Sequence, residues 1–410
     1  MAPALPLSAK TAQAVWDEAS EAVHDGASPR LLEKVAAEIT GRSLLAPPAP
    51  LKLGRAPRFP ERSRSFLARF GLSPESLLTS GSANAKLAKG SGLAFSSLLH
   101  LLPSRSLARA LSPSLPGSVS VRGELPGLRE LAQREGLLSR ALLFNACPFA
   151  SEACQDLCLA FSGHGGLSTD VASCRARRSL ALLADREAFA RCLLWAAGLS
   201  YRKARRLGLP FALRLNGTQE LPWWEAWCGF SLSSEEASLF SELFSVSIEP
   251  GFHTLPSLLS SVPFLSLYDY LKAPLFGRSG LLAAREAGVH VTASLAADRE
   301  GGASRAMDAI GSGFALAVPV LISKGEDLPL SLLMRDDRGR EALLQCVDGD
   351  ANDLRMLDPA PAPGFSGLAV LLRLKRSRGA KPESASRFAL APSSSWLPME
   401  GGGSFAFSRL

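Results

Sequence analysis

Short apolar runs and helical stretches alternate along the chain from about residue 137 onward. Helical periodicity is clearest in Ser179–Leu199 and Ser279–Ala287. The runs that predict β-strands are Ala141–Asn145, Phe211–Leu215, Leu243–Ile248, Phe264–Tyr268, Val289–Leu295, Phe314–Ile322, Leu343–Val347 and Leu368–Leu374. Strands that alternate with helices predict an α/β fold built on a parallel sheet. Eight strands favour a TIM-barrel-like (β/α) fold, and short later connections indicate a partial or distorted barrel.

The segments outside this pattern predict a three-part chain. Residues 1–75 read as an N-terminal helical extension, with helices over Lys10–Gly26 and Ser28–Ile39 and then a linker rich in Pro and Arg. Residues 76–380 form the expected barrel-like domain. Residues 381–410 are rich in Ser, Gly and Pro, and we expect an irregular tail.

Polar residues follow several of the predicted strands. In a (β/α) barrel the functional groups lie at the carboxyl ends of the strands, where these side chains would converge. The residues in this position are Cys147 after the first predicted strand, Asn216 to Glu220 after the second, Glu249 after the third, Asp269 and Lys272 at the fourth, and Asp348 after the seventh.

The segment CPFASEACQDLC holds three of the seven cysteines, Cys147, Cys154 and Cys158, with the spacing Cys-x6-Cys-x3-Cys. Thiolates are soft ligands that suit iron–sulfur clusters or zinc. Three of them can hold three irons of a [4Fe-4S] cluster and leave the fourth iron open, or Cys174 could complete a four-cysteine site. A structural zinc site, with His164 as fourth ligand, and three thiols without a metal are the alternatives. The spacing favours iron–sulfur.

Several segments resemble the phage "gene product 88" family. They are NAKLAKG (84–90), CPFASEACQDLCL (147–159), SGHGG (162–166), LADREAF (183–189), LRLNGTQELPW (213–223), YDYLK (268–272) and VDGDANDLRMLDP (347–359). The resemblance implies a phage-borne protein with a cysteine-ligated iron–sulfur cluster. A cysteine loop after the first strand of a barrel is also similar in layout to radical S-adenosylmethionine (SAM) enzymes, although their usual spacing is Cys-x3-Cys-x2-Cys.

Two further groups of polar residues are candidates for a site beside the cysteines. Arg214, Asn216 and Thr218 could bind a carboxylate, a phosphate or SAM, or could simply be a hydrogen-bonded strand end. Asp269 and Lys272 could be an acid/base pair or a buried ion pair. We predict catalytic roles for Asp269, Lys272 and Glu220.

His164 and Asp348 complete the predicted cofactor-binding set. His164 lies in a Gly-rich turn, residues 163–166, whose backbone N–H groups could cradle an anion. Asp348 begins a loop that resembles a calcium site, but Pro359 replaces the glutamate that an EF-hand needs at position twelve.

Composition narrows the class of protein. No apolar run of about 18 residues is present, so we expect no membrane span. The start MAPALPLSAK lacks a secretory pattern, and an odd number of cysteines argues against a disulfide framework, so we expect a protein of the host cytoplasm. The net charge of +7 permits a nucleic-acid partner. Two hypotheses result: an enzyme acting on a small-molecule or nucleic-acid substrate, or a non-catalytic protein that binds nucleic acid or a host protein.

Overall fold

The computed structural model describes residues 49–80, 90, 92–103, 106–111, 125, 127–158, 160, 168–323, 325–374 and 382–408. The two helices predicted before residue 40 lie outside these residues, and so does His164. Within the described ranges, no helix combines the length and the apolar character that crossing a membrane requires.

Twelve α-helices occur in this part of the chain. They are α1 (Glu61–Arg69), α2 (Ser106–Leu111), α3 (Leu128–Arg134), α4 (Leu138–Leu143), α5 (Glu152–Asp156), α6 (Thr169–Ala184), α7 (Arg186–Arg206), α8 (Ser234–Phe244), α9 (Leu255–Leu259), α10 (Leu281–Glu286), α11 (Gly302–Gly311) and α12 (Pro382–Phe388).

The same residues form thirteen β-strands. They are β1 (Leu78–Ser80), β2 (Phe95–Leu99), β3 (Phe211–Arg214), β4 (Phe230–Leu232), β5 (Gly251–His253), β6 (Leu265–Leu271), β7 (Val289–Ser294), β8 (Ala315–Val320), β9 (Ser331–Arg335), β10 (Glu341–Asp348), β11 (Gly367–Arg373), β12 (Leu397–Pro398) and β13 (Ser404–Ser408).

Eleven strands form one mixed sheet in the order β1-β2-β3-β6-β7-β8-β11-β10-β9-β13-β12. The seven strands from β2 to β10 in this order run parallel, and those outside them pair antiparallel. The described strands therefore form an open sheet, and the TIM-barrel-like fold that eight strands suggested, as a partial or distorted barrel, is not confirmed. Both edges that a barrel would join are already paired, β2 with β1 and β10 with β9.

Six of the eight predicted strands are confirmed, as β3, β6, β7, β8, β10 and β11. The prediction of a strand over Ala141–Asn145 is wrong, because this run lies mostly in α4. The strand predicted over Leu243–Ile248 is also wrong. Helix α8 ends there at Phe244, and Ser245 caps it with a left-handed φ of 58°. Cys147 therefore follows a helix, not a strand.

Three parts of the described chain differ from what the sequence indicated. Strand β2 was missed, because its serines Ser96 and Ser97 hide an apolar run. The tail is not irregular, since α12 and β13 lie within it and β13 pairs with β9. The single helix predicted over Ser179–Leu199 is two helices. Asp185 breaks it by capping α7, with its carboxylate accepting the Ala188 backbone N–H at 2.9 Å.

Helix α7 is the element around which the first half of the fold packs. Its buried side chains include Phe189, Trp195 and Tyr201. They belong to one continuous apolar core that also takes in residues of α1 and of strands β3, β6, β7 and β8. This packing holds the carboxyl ends of β2, β3 and β6 in fixed positions, and the polar residues described next extend from those ends.

Candidate functional site

Asn216 and Asp269 form a buried hydrogen-bonded pair at the ends of β3 and β6. The Asn216 backbone N–H and side-chain Nδ2 each donate to the Asp269 carboxylate at 3.1 Å. The Asn216 Oδ1 accepts from the Leu221 backbone at 2.9 Å and from the Trp223 indole at 3.0 Å. Asn216 is 1% exposed and Asp269 is 3% exposed. This pair fixes the turn after β3 to the end of β6.

Arg214 joins this pair to a second carboxylate. Its Nε lies 3.5 Å from the Asp269 Oδ1, and its Nη1 lies 3.2 Å from the Asp353 Oδ2. The hydroxyls of Tyr268 and Tyr270 donate to Asp353 at 3.3 and 3.2 Å. Burial raises the pKa of Asp269 to about 7, although Arg214 and the Asn216 bonds act in the opposite direction.

The cysteine segment approaches the same edge of the sheet and is held by hydrogen bonds from two directions. The Glu220 backbone N–H donates to the Ala146 carbonyl at 2.8 Å. Helix α5 carries Cys154, and its first turn is capped twice: Ser151 Oγ accepts the Cys154 backbone N–H at 3.2 Å, and Asp298 accepts that of Ala153 at 3.1 Å. These bonds hold the segment beside the ends of β3, β6 and β7.

Lys272 connects the cysteines to Glu220. Its ammonium hydrogen-bonds to the Cys154 sulfur and is attracted by Cys147 and Glu220. The Glu220 carboxylate accepts the backbone N–H groups of Lys272 and Ala273, the latter at 2.9 Å. Burial alone would lower the pKa of Lys272, but its interactions with Cys154, Glu220 and Cys147 raise the pKa overall, so the amine is charged.

The three thiols of this segment are half-buried. Burial raises the pKa of Cys154, and burial together with Cys154 raises the pKa of Cys158 to about 12. All seven cysteines are free of disulfides. Within the described residues no three His, Cys, Asp or Glu side chains are arranged as they would be around a metal. The three cysteines match a metal site in the type and number of their donors.

A basic group lies on the other side of Cys158. Arg178 donates to the carbonyls of Ser76 and His100, and Arg175 donates to that of Ala160. Burial and the charge of Arg178 lower the pKa of Arg175 to about 10. Burial and these arginines also lower the pKa of His100 well below its usual value, so its imidazole is neutral.

The residues around Gly217 explain why this position is a glycine. A Cβ at this position would lie 2.6 Å from both the His100 Nδ1 and the Leu99 carbonyl oxygen. The glycine of RLNGT therefore permits the close approach of the end of β2.

The remaining predicted site residues lie in different surroundings. The Thr218 carbonyl lies 3.8 Å from the Cys147 sulfur, so Thr218 belongs to the cysteine site. Asp348 is exposed and pairs with Arg373 at 3.3 Å. It stands on β10, with three strands between it and β6 in the sheet, and the fold does not bring it to the cysteines. The Cys174 sulfur faces the Ser76 carbonyl at 4.0 Å.

The sequence interpretation missed one acidic residue of the site. Asp298 follows β7 and caps the helix that carries Cys154. Its Oδ1 is buried and has no hydrogen-bond partner among the described residues. The signal that could have found it was its position, because it follows a correctly predicted strand as Asn216 follows β3.

These features define the class of the molecule: an α/β protein with an open, mostly parallel sheet and a cysteine-bearing polar site at the carboxyl ends of its strands. The profile of the family described as Gene product 88 matches residues 104–390, more than half of the chain. The chain therefore belongs to the Gene product 88 family of phage proteins. No curated protein and no solved structure matches it.

Proposed function

We propose that Cys147, Cys154 and Cys158 hold a [4Fe-4S] cluster, and that this chain is an iron–sulfur protein. The observation that carries the proposal is that Cys154, Cys147 and Glu220 all lie close to the Lys272 ammonium. The segment that carries these three cysteines lies over the sheet edge and forms no disulfide, and the Lys272 ammonium hydrogen-bonds to the sulfur of Cys154. Thiolates of this number on one segment are the ligands that such clusters take.

A bound cluster of this kind supplies single electrons, or an open iron that acts as a Lewis acid. Lys272 would lie beside it and stabilise negative charge on the sulfurs, since hydrogen bonds and nearby charge set cluster potentials. Glu220 holds the backbone of residues 272 and 273 and so fixes the direction of the lysine. Asp298 holds the first turn of α5 and so fixes Cys154.

The strand order supports the extension of the proposal to an enzyme similar in layout to radical SAM proteins. Strands β2, β3, β6, β7, β8 and β11 are parallel neighbours that follow one another in chain order across the sheet. A partial (β/α) barrel has this winding. The cysteine segment falls between the first and second of these strands. In this proposal Thr218 and Glu220 border the substrate, and Asn216, Asp269 and Arg214 support them from within.

The proposal is tested on protein purified without oxygen. After reduction with dithionite we expect the EPR signal of a [4Fe-4S]⁺ cluster, and addition of SAM should shift that signal if the open iron binds it. A cluster signal that SAM leaves unchanged would support an iron–sulfur protein without this enzymatic role. Zinc in place of iron, with no visible absorption, would overturn the cluster and leave a structural metal site.

The Lys272→Met variant separates the role of the lysine from folding, because methionine has a similar length and no charge. We expect its cluster to assemble with a lower midpoint potential, since a neighbouring positive charge favours the reduced form. The exposed Arg278→Met variant, on the loop after β6, is the control and should keep the wild-type potential. Equal potentials in all three proteins would contradict the placement of Lys272 beside the cluster.

A further inference from the structure

An extended segment lies along the second half of α7, on the side of the sheet where the strands begin. We call residues 51–60, LKLGRAPRFP, the strap. The Leu51 backbone N–H donates to the Arg205 carbonyl at 3.0 Å. The Gly54 carbonyl accepts from the Arg202 guanidinium at 2.7 Å. The start of the strap is therefore fastened to the last turns of the helix.

The other end of the strap is held by apolar packing. The ring of Phe59 lies 5.2 Å from that of Trp195, about three turns earlier in α7. Ala56 also packs against the main core. The strap thus runs antiparallel to the helix axis and keeps one side against the protein.

Exposure along the strap has a period of three. The inward positions Leu53, Ala56 and Phe59 are half-buried, and the positions before each of them, Lys52, Arg55 and Arg58, are exposed. A backbone of the polyproline type has three residues per turn and rises about 3.1 Å per residue, so it would place these cations in one row at intervals of about 9 Å. Pro60, with φ −59° and ψ 134°, has this conformation.

The strap and the end of α7 are rich in basic residues, most of which are exposed, while Arg202 and Arg205 are buried. Residues 51–64 contain five basic residues and one acidic residue, and residues 200–208 contain four basic and no acidic residues. Together they have a formal charge of +8, against +7 for the whole chain. The helix dipole favours cations at the end of α7, but it does not account for those of the strap. The exposed acidic neighbours are Glu61 and Glu242.

The aromatic side chain of Phe264 lies next to this basic surface and contacts Arg205. The Arg205 guanidinium lies 4.3 Å over the ring of Phe264, and Phe264 is 36% exposed. Arg205 is 6% exposed, and its Nε and Nη1 have no hydrogen-bond partner within the described part of the chain. Phe264 has a φ of 60°, a left-handed conformation that is costly for a bulky residue.

We propose that the strap, the end of α7 and Phe264 form a binding surface for single-stranded nucleic acid. Lys52, Arg55 and Arg58 contact successive phosphates, and Phe264 stacks on a base. Single strands are bound in this way, by a row of cations along the backbone and by aromatic side chains on the bases. The surface lies at the amino ends of the strands, whereas the cysteines lie at the carboxyl ends. The proposal is therefore independent of the cluster.

The test measures binding of a fluorescein-labelled oligothymidylate of about 20 nucleotides to the full chain by anisotropy, from about 50 to about 200 mM KCl. We expect the triple variant Lys52→Ser/Arg55→Ser/Arg58→Ser to bind at least tenfold more weakly. We also expect its plot of log affinity against log salt to be shallower by about 2, since each phosphate contact on a single strand contributes about 0.7.

The matched control removes the same charge elsewhere. Arg140, Arg278 and Arg338 are exposed arginines on other elements, and their triple serine variant should keep the wild-type salt slope. Phe264→Ala should weaken binding about fivefold or more and leave the slope unchanged, because stacking involves no counterion release. The proposal is overturned if the wild type does not bind the oligonucleotide, or if the control triple variant loses as much affinity as the strap variant.

Discussion

The two halves of the polar edge of the sheet, the Asn216–Asp269 pair and the cysteine segment, differ in how completely their polar groups are bonded. Asn216 uses its backbone N–H, its Nδ2 and its Oδ1 in bonds within the protein. The three thiols of the cysteine segment instead border a charged lysine, and burial raises the pKa of Cys154 and Cys158. A buried network of hydrogen-bonded polar groups stabilises a fold, whereas half-buried thiols beside an ammonium are not needed for folding and indicate a site that binds or reacts.

This difference in hydrogen bonding distinguishes two roles. Asn216 and Asp269 hold the site in place, whereas the cysteines and Lys272 are the residues that would bind or react. Asn216 and Glu220 both follow β3, and Asp269 and Lys272 both lie at the end of β6. Position in the sheet therefore does not distinguish the residues of the pair from those beside the cysteines. Asp269 and Lys272 are three residues apart and were considered as one acid/base pair. The structure instead assigns them different partners, Asn216 and Arg214 for the aspartate and Cys154 and Glu220 for the lysine.

Removing one member of the Asn216–Asp269 pair should have the largest effect on stability. Asp269→Ala leaves two donors of Asn216 unpaired in the interior and removes one carboxylate from Arg214. We expect the free energy of unfolding to fall by about 3–5 kcal/mol, measured by urea denaturation of the metal-free protein. Glu286→Ala, at an exposed position of α10, should change it by less than about 0.5 kcal/mol. A loss below about 1 kcal/mol for Asp269→Ala would contradict a structural role for the pair.

The same carboxyl should make stability depend on pH. The pKa of Asp269 is about 7 in the folded chain, above its unfolded value of 3.8, because burial disfavours the charge. The folded state therefore binds the proton more tightly, and stability is greatest below pH 3.8 and falls as pH rises through 7. The loss from this group is at most about 4 kcal/mol, at 1.36 kcal/mol per pKa unit.

The Asp269→Asn variant isolates that contribution, because the amide does not titrate. Urea unfolding at several pH values between about 4 and 8 should show a wild-type stability that declines relative to the variant. Parallel pH curves for the two proteins would show that Asp269 is already ionised at low pH, and the raised pKa would then be wrong.

A smaller effect should follow from removing one bond of the network. Trp223→Phe keeps an aromatic ring but deletes the indole N–H that donates to Asn216 Oδ1 at 3.0 Å. We expect a loss of about 1–2 kcal/mol in the free energy of unfolding. The neighbouring Trp224 donates to the Arg278 carbonyl at a partly exposed position, so Trp224→Phe is the control and should cost less. Equal losses would mean that burial of the bond is unimportant.

The smallest effect is expected in the cysteine half. Without metal, Cys154→Ser should change the free energy of unfolding by less than about 1 kcal/mol, because the thiol makes few contacts that a hydroxyl cannot make. Cys228→Ser places a hydroxyl in the apolar core and should cost more, about 1–3 kcal/mol. If Cys154→Ser destabilises the metal-free chain as much as Asp269→Ala does, the cysteine segment is part of the structural network and the comparison fails.

The sequence predicted the parallel α/β organisation and the grouping at one edge, because Phe314–Ile322 is a nearly continuous apolar run and Val289–Leu295 alternates apolar with polar residues, and both contain β-branched residues. It failed where an apolar run fits either period, as at Ala141–Asn145, which belongs to a helix. It also missed β2, whose Ser96 and Ser97 interrupt the run. The antiparallel strands that flank the parallel ones are short segments, β1 before β2 at one edge and β9, β12 and β13 near the end of the chain at the other.

Part of the site was predictable from the sequence, because residue type can be read directly while contacts between distant residues cannot. Residue type identified Cys147, Cys154, Cys158 and Lys272 as chemically unusual. A strand end places Lys272, whereas the cysteine segment follows helix α4 and not the strand that the sequence predicted. Pairing could not be read in the same way, since the link from Asp353 to Arg214 spans 139 positions of the chain. Asp298 and the basic group around His100 also depend on contacts between distant loops.

The most direct test of the central claim is the metal content of the purified chain. Wild-type protein prepared without oxygen should contain about four irons and four sulfides per chain, Cys154→Ser should lose them, and Cys228→Ser should keep them. Stoichiometric zinc without iron, or iron that remains in the Cys154→Ser protein, would contradict a [4Fe-4S] cluster held by Cys147, Cys154 and Cys158.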